Sequence, residues 1–399
     1  MPLVRGLLAL GLAGIALVGC ADDHPPQPAP APAADVAAAV EHALQARAAA
    51  VRRARPEAFE RTLGGGARFL EQQRVWYANL TQLPLERFGY RFDPASLVRD
   101  GDGYWAIVDE VLQLDGYDAE PVITSDRFRF APAAGGRGRL RLVSVTDRAW
   151  EAAHRVQPQP WDLGPVEVRA GFGVLGIFDA GSVATAGSLL TSVEAGIADV
   201  SVLVPHEWSR SVVVYALSDP TFMAGLEDVP GDDPEQLDAV SFPVGAGTRF
   251  VLNPRIVDRA GPGRDRLVRH ELTHVAIGTA DDLAPIWVSE GLAEWVSVQS
   301  LPPEDRRIPD AAVAAAEEGV PDLPDDGSFN DEDSQAHYGL AWWAIEYVAD
   351  SYGEQAPWLL LDALGAEGAD TEQVLRDQWG TTTGELAEQA ERLILATYR

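Results

Sequence analysis

Lysine does not occur in this chain, so its 31 basic side chains are all arginine, set against 61 aspartates and glutamates. The formal net charge of -30 gives the surface one sign, which repels phosphate backbones and anionic lipid headgroups. Nucleic acid is therefore not an expected partner. Cysteine occurs once, at Cys20. No disulfide can form within the chain, and whatever folds must stand on its apolar cores. Beyond the first twenty residues no uninterrupted apolar stretch reaches the length needed to cross a bilayer, so the remainder is expected to be soluble. Apolar material is nonetheless ample. A chain of 399 residues with 46% hydrophobic content can bury sizeable cores, and that length favours two or three domains over one.

The first twenty residues combine Arg5, an apolar run over 6–18, and then Leu17, Val18, Gly19 and Cys20. They resemble a bacterial lipoprotein signal, in which a small residue before the cysteine permits cleavage and Cys20 becomes the lipidated first residue. The alternative is an ordinary secretory signal or a short anchor with an incidental cysteine. The resemblance implies a protein tied to the extracytoplasmic face of the cell membrane through lipid on Cys20. Residues 21–34 read ADDHPPQPAPAPAA, a tether that favours extended polyproline conformations. His24 within it has no second ligand type at metal spacing and reads as a solvated residue.

Over 35–53 the alanine-rich sequence, with Val36, Val40 and Leu44 on one face, predicts a long helix. A second helical stretch over 56–78 precedes the short alternating segments RFGYRFD, YWAIVDEVLQL, RFRFAPA and GRLRLVSV, which predict antiparallel strands. This order of helices then sheet makes an α+β layer and is similar to the nuclear transport factor 2-like (NTF2-like) fold, a cone of helices against a curved sheet. Such folds often enclose a pocket. Trp76, Tyr77, Phe88, Tyr90 and Trp105 would line it, although a plain core role suits them better.

Gln157, Pro158, Gln159 and Pro160 predict a loop between a first domain over 35–155 and a second over 160–399. In the second, strands are expected over 166–177, 211–217, 239–244 and 248–253, helices over 182–198 and 219–226, and helices alone from 264 onward. Gly171, Gly173 and Gly176 spell GxGxxG but sit inside an apolar stretch with no strand-turn-helix unit, so a dinucleotide site is set aside. The acidic run over 322–333 lacks the ligand order of a calcium loop and reads as solvated. His154 and His206 are isolated and read as structural or exposed.

The chemistry concentrates in RDRLVRHELTHVAIG, where His270, Glu271 and His274 form HExxH. Imidazoles four residues apart lie one turn above each other on a helix, so both can reach one ion. Glu271 beside them can take a proton from a water that the cation acidifies. Catalytic zinc usually has three protein ligands, and APIWVSEGLAEWVSVQ offers the third in Glu290. Trp287, Glu290, Gly291, Ala293 and Glu294 reproduce the WxxEGxAE context of the gluzincin peptidases, which this segment resembles. The metzincin pattern is excluded, since no third histidine follows soon after HExxH. The resemblance implies a thermolysin-like zinc peptidase domain, a small mixed sheet followed by helices, with zinc on His270, His274 and Glu290. It makes Glu294, four residues on, the acid that orients a ligand histidine. Glu290 is preferred over Glu294 as the ligand. Tyr338, opening the helix in SQAHYGLAWWAIEYVADSYG, matches the region where the family places its oxyanion-stabilising side chain, with His337 in reserve; the alternative makes both of them packing residues. The segment TRFVLNPR resembles the family's edge strand, to which an extended substrate adds.

The expected function is thus a membrane-anchored zinc peptidase cleaving proteins or peptides with Glu271 as general base. The alternative is a lipoprotein that binds a ligand or partner without catalysis and keeps the peptidase fold as scaffold.

Overall fold

The computed structural model describes residues 34–133, 135, 138–226 and 237–399. The signal with Cys20, and the tether with His24, lie outside the described residues. The chain is mixed α+β and contains a curled antiparallel sheet.

Helix α1 (Ala34–Arg52) is rich in alanine, and Val40, Leu44, Ala48 and Val51 recur at three- and four-residue steps to give it one buried face. The helix expected over 56–78 is two helices, α2 (Pro56–Glu60) and α3 (Ala67–Leu80). Gly64, Gly65 and Gly66 part them, with Gly65 at a φ of +90 that a side chain would strain. Strands β1 (Leu85–Phe92), β2 (Val98–Asp100), β3 (Gly103–Leu114), β4 (Val122–Pro132) and β5 (Leu140–Ser144) follow. They form an antiparallel sheet in the order β1-β3-β4-β5, with β2 also on β3. Trp76, Tyr77 and Phe88 belong to its core, while Trp105 is half-buried beneath the Arg127 guanidinium.

Two short helices, α4 (Arg148–Ala153) and α5 (Pro160–Leu163), lead to the second sheet. The strand expected over 166–177 is a hairpin of β6 (Glu167–Gly171) and β7 (Val174–Phe178). Gly173 turns it with φ +74, where an added Cβ would stand 2.5 Å from Arg210 O. The GxGxxG sequence therefore serves a strand-to-strand turn, not a strand-to-helix one. Helix α6 (Ala186–Leu203), β8 (Val212–Ala216), α7 (Thr221–Ala224), β9 (Ala239–Val244) and β10 (Gly247–Leu252) complete the unit. The strand order is β6-β7-β8-β10-β9, parallel at β7, β8 and β10 and antiparallel at both margins. TRFVLNPR is accordingly an interior strand, contrary to expectation, and the edge belongs to β9. Phe250, Val251 and Leu252 are buried, with Phe250 and Leu252 on one face of the sheet and Val251 on the other.

Both faces of the second sheet are covered. Phe178, Val214, Ala216 and Leu252 point into a core shared with the C-terminal helices. Leu175, Ile177, Val213, Tyr215 and Val251, one step along each strand, point into the core of the N-terminal sheet. Polar side chains lock this junction. Arg249 donates to Asp118 Oδ1 and to Tyr215 Oη, both at 2.8 Å, and Tyr215 Oη donates to Gln159 Oε1 at 2.7 Å. Buried Asn79 of α3 donates to Trp161 O and Gly164 O and accepts from Val166 N. The segment expected as a separating loop is therefore pinned, with Trp161 only 3% exposed.

Helices α8 (Pro254–Val257), α9 (Pro262–Ile277), α10 (Thr279–Leu283) and α11 (Ile286–Gln299) follow. They precede α12 (Asp310–Glu318), α13 (Ser334–Tyr352), α14 (Ala356–Leu364), α15 (Thr371–Trp379) and α16 (Thr383–Tyr398). Among the described residues one stretch, Val183–Leu203, is long and apolar enough to cross a membrane, contrary to the expectation of none. Its Leu189, Val193, Ile197 and Val200 are buried in the core, and Gly196 lets α9 approach so closely that a Cβ would meet Leu272 Cδ1 at 2.7 Å. The apolar composition serves this packing.

Candidate metal centre

Helix α9 starts on Pro262, whose missing N–H costs nothing at a helix N-terminus, and runs beneath β9 and β10 with α6 and α11 against it. Its second half, from Val268 to His274, is buried throughout. Gly278, at φ +58, ends the helix one turn after His274 and donates its N–H to His274 O at 3.0 Å. The chain then folds back into α10. Helix α11 packs against α9 and is locked to α13 at Gly291, where a Cβ would lie 2.7 Å from Ala341 O. The residue beside it, Glu290, faces α9.

These elements bring His270, His274 and Glu290 together. Nε2 of His270 and Nε2 of His274 are 3.2 Å apart, and Glu290 Oε2 lies 3.1 Å from the first and 3.5 Å from the second. A tetrahedral ion with bonds near 2.1 Å holds its ligand atoms roughly 3.3–3.5 Å apart, so the triangle has the right size. Proton placement allows this. Nδ1 of His274 is 2.9 Å from Asp281 Oδ1, and a carboxylate only accepts, so Nδ1 carries a proton and Nε2 is the nitrogen left to hold either a second proton or an ion. Glu290 Oε2 is buried without a hydrogen bond of proper geometry. Three ligand atoms thus face one point, an arrangement that a cation stabilises and that hydrogen bonds leave unsatisfied.

Charge around the triangle favours a cation as well. Burial opposes a charged imidazole at His270, yet Glu290 and Glu294 overcome it and raise the ring to about 10. His274 moves in the same direction, with Asp281 and Glu290 overcoming burial. Burial works against ionised Glu290 and Glu294 too, but the two histidines hold Glu290 well below the usual carboxylate range. His270 and Arg266 bring Glu294 to about 2. Glu294 Oε1 lies 3.1 Å from His270 Nδ1, an ion-pair distance short of hydrogen-bond geometry, and Arg266 bonds its other oxygen.

Glu271 is 4% exposed and accepts from Ser241 Oγ of β9 at 2.6 Å. Burial raises it above the ordinary carboxylate range although His270 and His274 pull the other way, so it is suited to receive a proton. Tyr338 of α13 stands with its ring centroid 6.2 Å from that of His270. Burial and then Glu290, Glu294 and Glu271 push its hydroxyl well above the usual range, which keeps it a donor. His337 instead turns Nδ1 to Phe329 O at 2.9 Å.

Two contributors went unassigned in the sequence. Asp281 was visible only as one of two aspartates after Gly278; its seven-residue distance from His274 was the available signal. Ser241, 30 residues before Glu271 on another element, gave none. The acidic run over 322–333 is more than a solvated loop. Asp326 Oδ1 accepts from Ile286 N at the start of α11, and Phe329 is fully buried against the Tyr338 ring. His154 stacks on Trp150, and His206 pairs with Asp362 at 2.7 Å. Comparison of the chain with protein-family models, with curated proteins and with solved structures finds no match.

Proposed function

We propose that the chain is a zinc-dependent peptidase of gluzincin type. The observation that carries this reading is the convergence of His270, His274 and Glu290 with Glu271 alongside and an acid behind each histidine. Two imidazoles and one carboxylate, closely packed and with a position left for water, suit zinc better than the harder cations that take all-oxygen sets. Zinc bound there would acidify a water and polarise a substrate carbonyl.

The remaining work falls to the chain's own groups. Glu271 accepts the proton of the attacking water and passes it to the leaving amine, with Ser241 fixing the orientation of its carboxylate. Tyr338 donates its hydroxyl proton to the oxygen that gains charge as the carbonyl becomes tetrahedral. Asp281 and Glu294 hold the imidazoles. Among the described residues no strand pairs with the outer edge of β9, which runs beside Glu271, and an extended peptide would add to it as a further strand. In this reading the N-terminal helices and curled sheet form an NTF2-like unit, and lipid on Cys20 anchors the protein at the extracytoplasmic face of the membrane.

The deciding experiment measures zinc content and peptide cleavage together in the parent and in Glu271→Gln. Stoichiometric zinc in both, with cleavage reduced about 10²–10⁴-fold in the variant, is the expected result. Undiminished cleavage in Glu271→Gln sinks the proposal, while zinc without any cleavage in the parent leaves the non-catalytic binding role.

A further inference from the structure

Away from the metal centre the structure encloses a cavity of about 500 Å³. It lies between the N-terminal sheet, α3, the 156–165 segment and the neighbouring parts of β9 and β10, with Leu112, Phe128 and the indoles of Trp76 and Trp161 in its walls. Carboxyl groups line it from three elements: half-buried Glu110 of β3 and Asp126 of β4, and exposed Asp162 of α5, whose two oxygens already accept from Trp76 Nε1 at 2.9 Å and Gln159 N at 2.8 Å. Glu71 and Glu151 lie further round the wall. Two guanidinium groups face the same space, and both are engaged. Arg249 is held by Asp118 and Tyr215. Arg47 lies over the rings of Phe59 and Trp76 and donates to Tyr90 and Gln73. Its residue is 2% exposed, and its Nη1 has no partner. Asp147, near Asp126, is paired with Arg127.

Acids thus outnumber bases around a space with aromatic walls. Burial raises the two inner carboxyls, Glu110 to about 8 and Asp126 to about 7, and neighbouring acids add to it at both. They do not gather into a metal site. Among the described residues only His270, His274 and Glu290 bring three ligand atoms within 4.8 Å of one another.

We propose that this cavity binds an organic cation, a protonated amine or guanidinium on an aromatic or apolar body. Glu110 and Asp126 meet the charge, and Trp76, its indole N–H fixed by Asp162, and Trp161 hold the body. An oxygen on that body would satisfy Arg47 Nη1, which otherwise stays buried and unpaired. The inference is independent of the peptidase reading.

Tyramine, 4-ethylphenol and 3-(4-hydroxyphenyl)propionate share a phenolic body and differ in charge at the other end. Titrated into the full chain, by calorimetry and by the fluorescence of the lining tryptophans, tyramine should bind at least about tenfold more tightly than the neutral phenol, and the propionate most weakly. Tyramine affinity should rise as pH climbs through about 7 and 8, where these carboxyls ionise while the amine keeps its charge. Glu110→Gln with Asp126→Asn should erase the advantage of tyramine over 4-ethylphenol and leave zinc content unchanged. Asp126→Asn by itself, at a less enclosed position, gives a second variant that should weaken tyramine alone. Tyramine binding no better than the neutral phenol overturns the proposal. So does tighter binding of the propionate, or full tyramine affinity in the variants. Failure of tyramine, phenethylamine and agmatine alike to bind at millimolar concentration overturns it as well.

Discussion

At the residue scale, the proposed function makes separate demands, for zinc affinity and for turnover, on the partners of the candidate ligands. Asp281→Ala frees Nδ1 of His274 and should weaken zinc about 10–100-fold in a chelator competition, with cleavage by the zinc-saturated enzyme much less affected. Tyr338→Phe removes a donor and leaves the ring, so it should lower kcat by about 10²–10³-fold at little cost to KM or to bound zinc. Glu110 supplies a pH-dependent test of a different kind. Its carboxyl is raised from 4.5 to about 8, so the folded chain keeps a proton that the unfolded chain releases. The stability this lends is complete below pH 4.5 and lost as pH climbs through 8. Urea unfolding should therefore show Glu110→Gln gaining on the parent as pH rises through that window. His270, Glu271, His274 and Glu290 were legible in sequence because their geometry is local to two helices with a diagnostic spacing. Ser241 was not, because only the placement of β9 over α9 brings it to Glu271.

At the scale of elements, two glycines set how closely the helices carrying the site approach their neighbours. A methyl at Gly291 would stand 2.7 Å from Ala341 O and 2.9 Å from Ile345 Cγ1, and backbone cannot give way as a flexible side chain can. Gly291→Ala should cost about 1–3 kcal/mol in unfolding free energy and, by tilting α11, loosen zinc through Glu290. Gly196→Ala meets the movable end of Leu272 and should cost less. The hydrophobic patterns located most elements of both sheets, yet they failed at three particulars. The Gly64–Gly66 break was overridden by helix-forming neighbours, the turn at Phe172 and Gly173 was hidden in an apolar run, and β10 was read as an edge. Strand order is a long-range property, and the alternation within TRFVLNPR could not reveal that β9 would lie outside it.

For the whole molecule, the shared core joins what the sequence divided at Gln157–Pro160. Because Tyr215, Ile177 and Val251 are buried against the N-terminal sheet, neither half presents a finished surface alone. Calorimetry of the full chain should show one cooperative transition with calorimetric and van't Hoff enthalpies equal; two separated transitions would mean that the halves unfold independently. The division was inferred from proline and glutamine in a short stretch. Those residues do turn the chain, but Trp161 and the bonds from Asn79 tie the turn down.

The two-sided burial of β7, β8 and β10 also makes the protein sensitive to reading-frame-preserving insertions. Slipping one amino acid between Val213 and Val214 would reverse the outlook of everything after it in β8, turning the Tyr215 phenol toward the helical layer and Val214 toward the N-terminal sheet. Arg249 would lose its phenolic acceptor while α6 met a polar ring. A codon-insertion library should accordingly be depleted at the centre of this strand and tolerant in the Pro302–Arg307 connection.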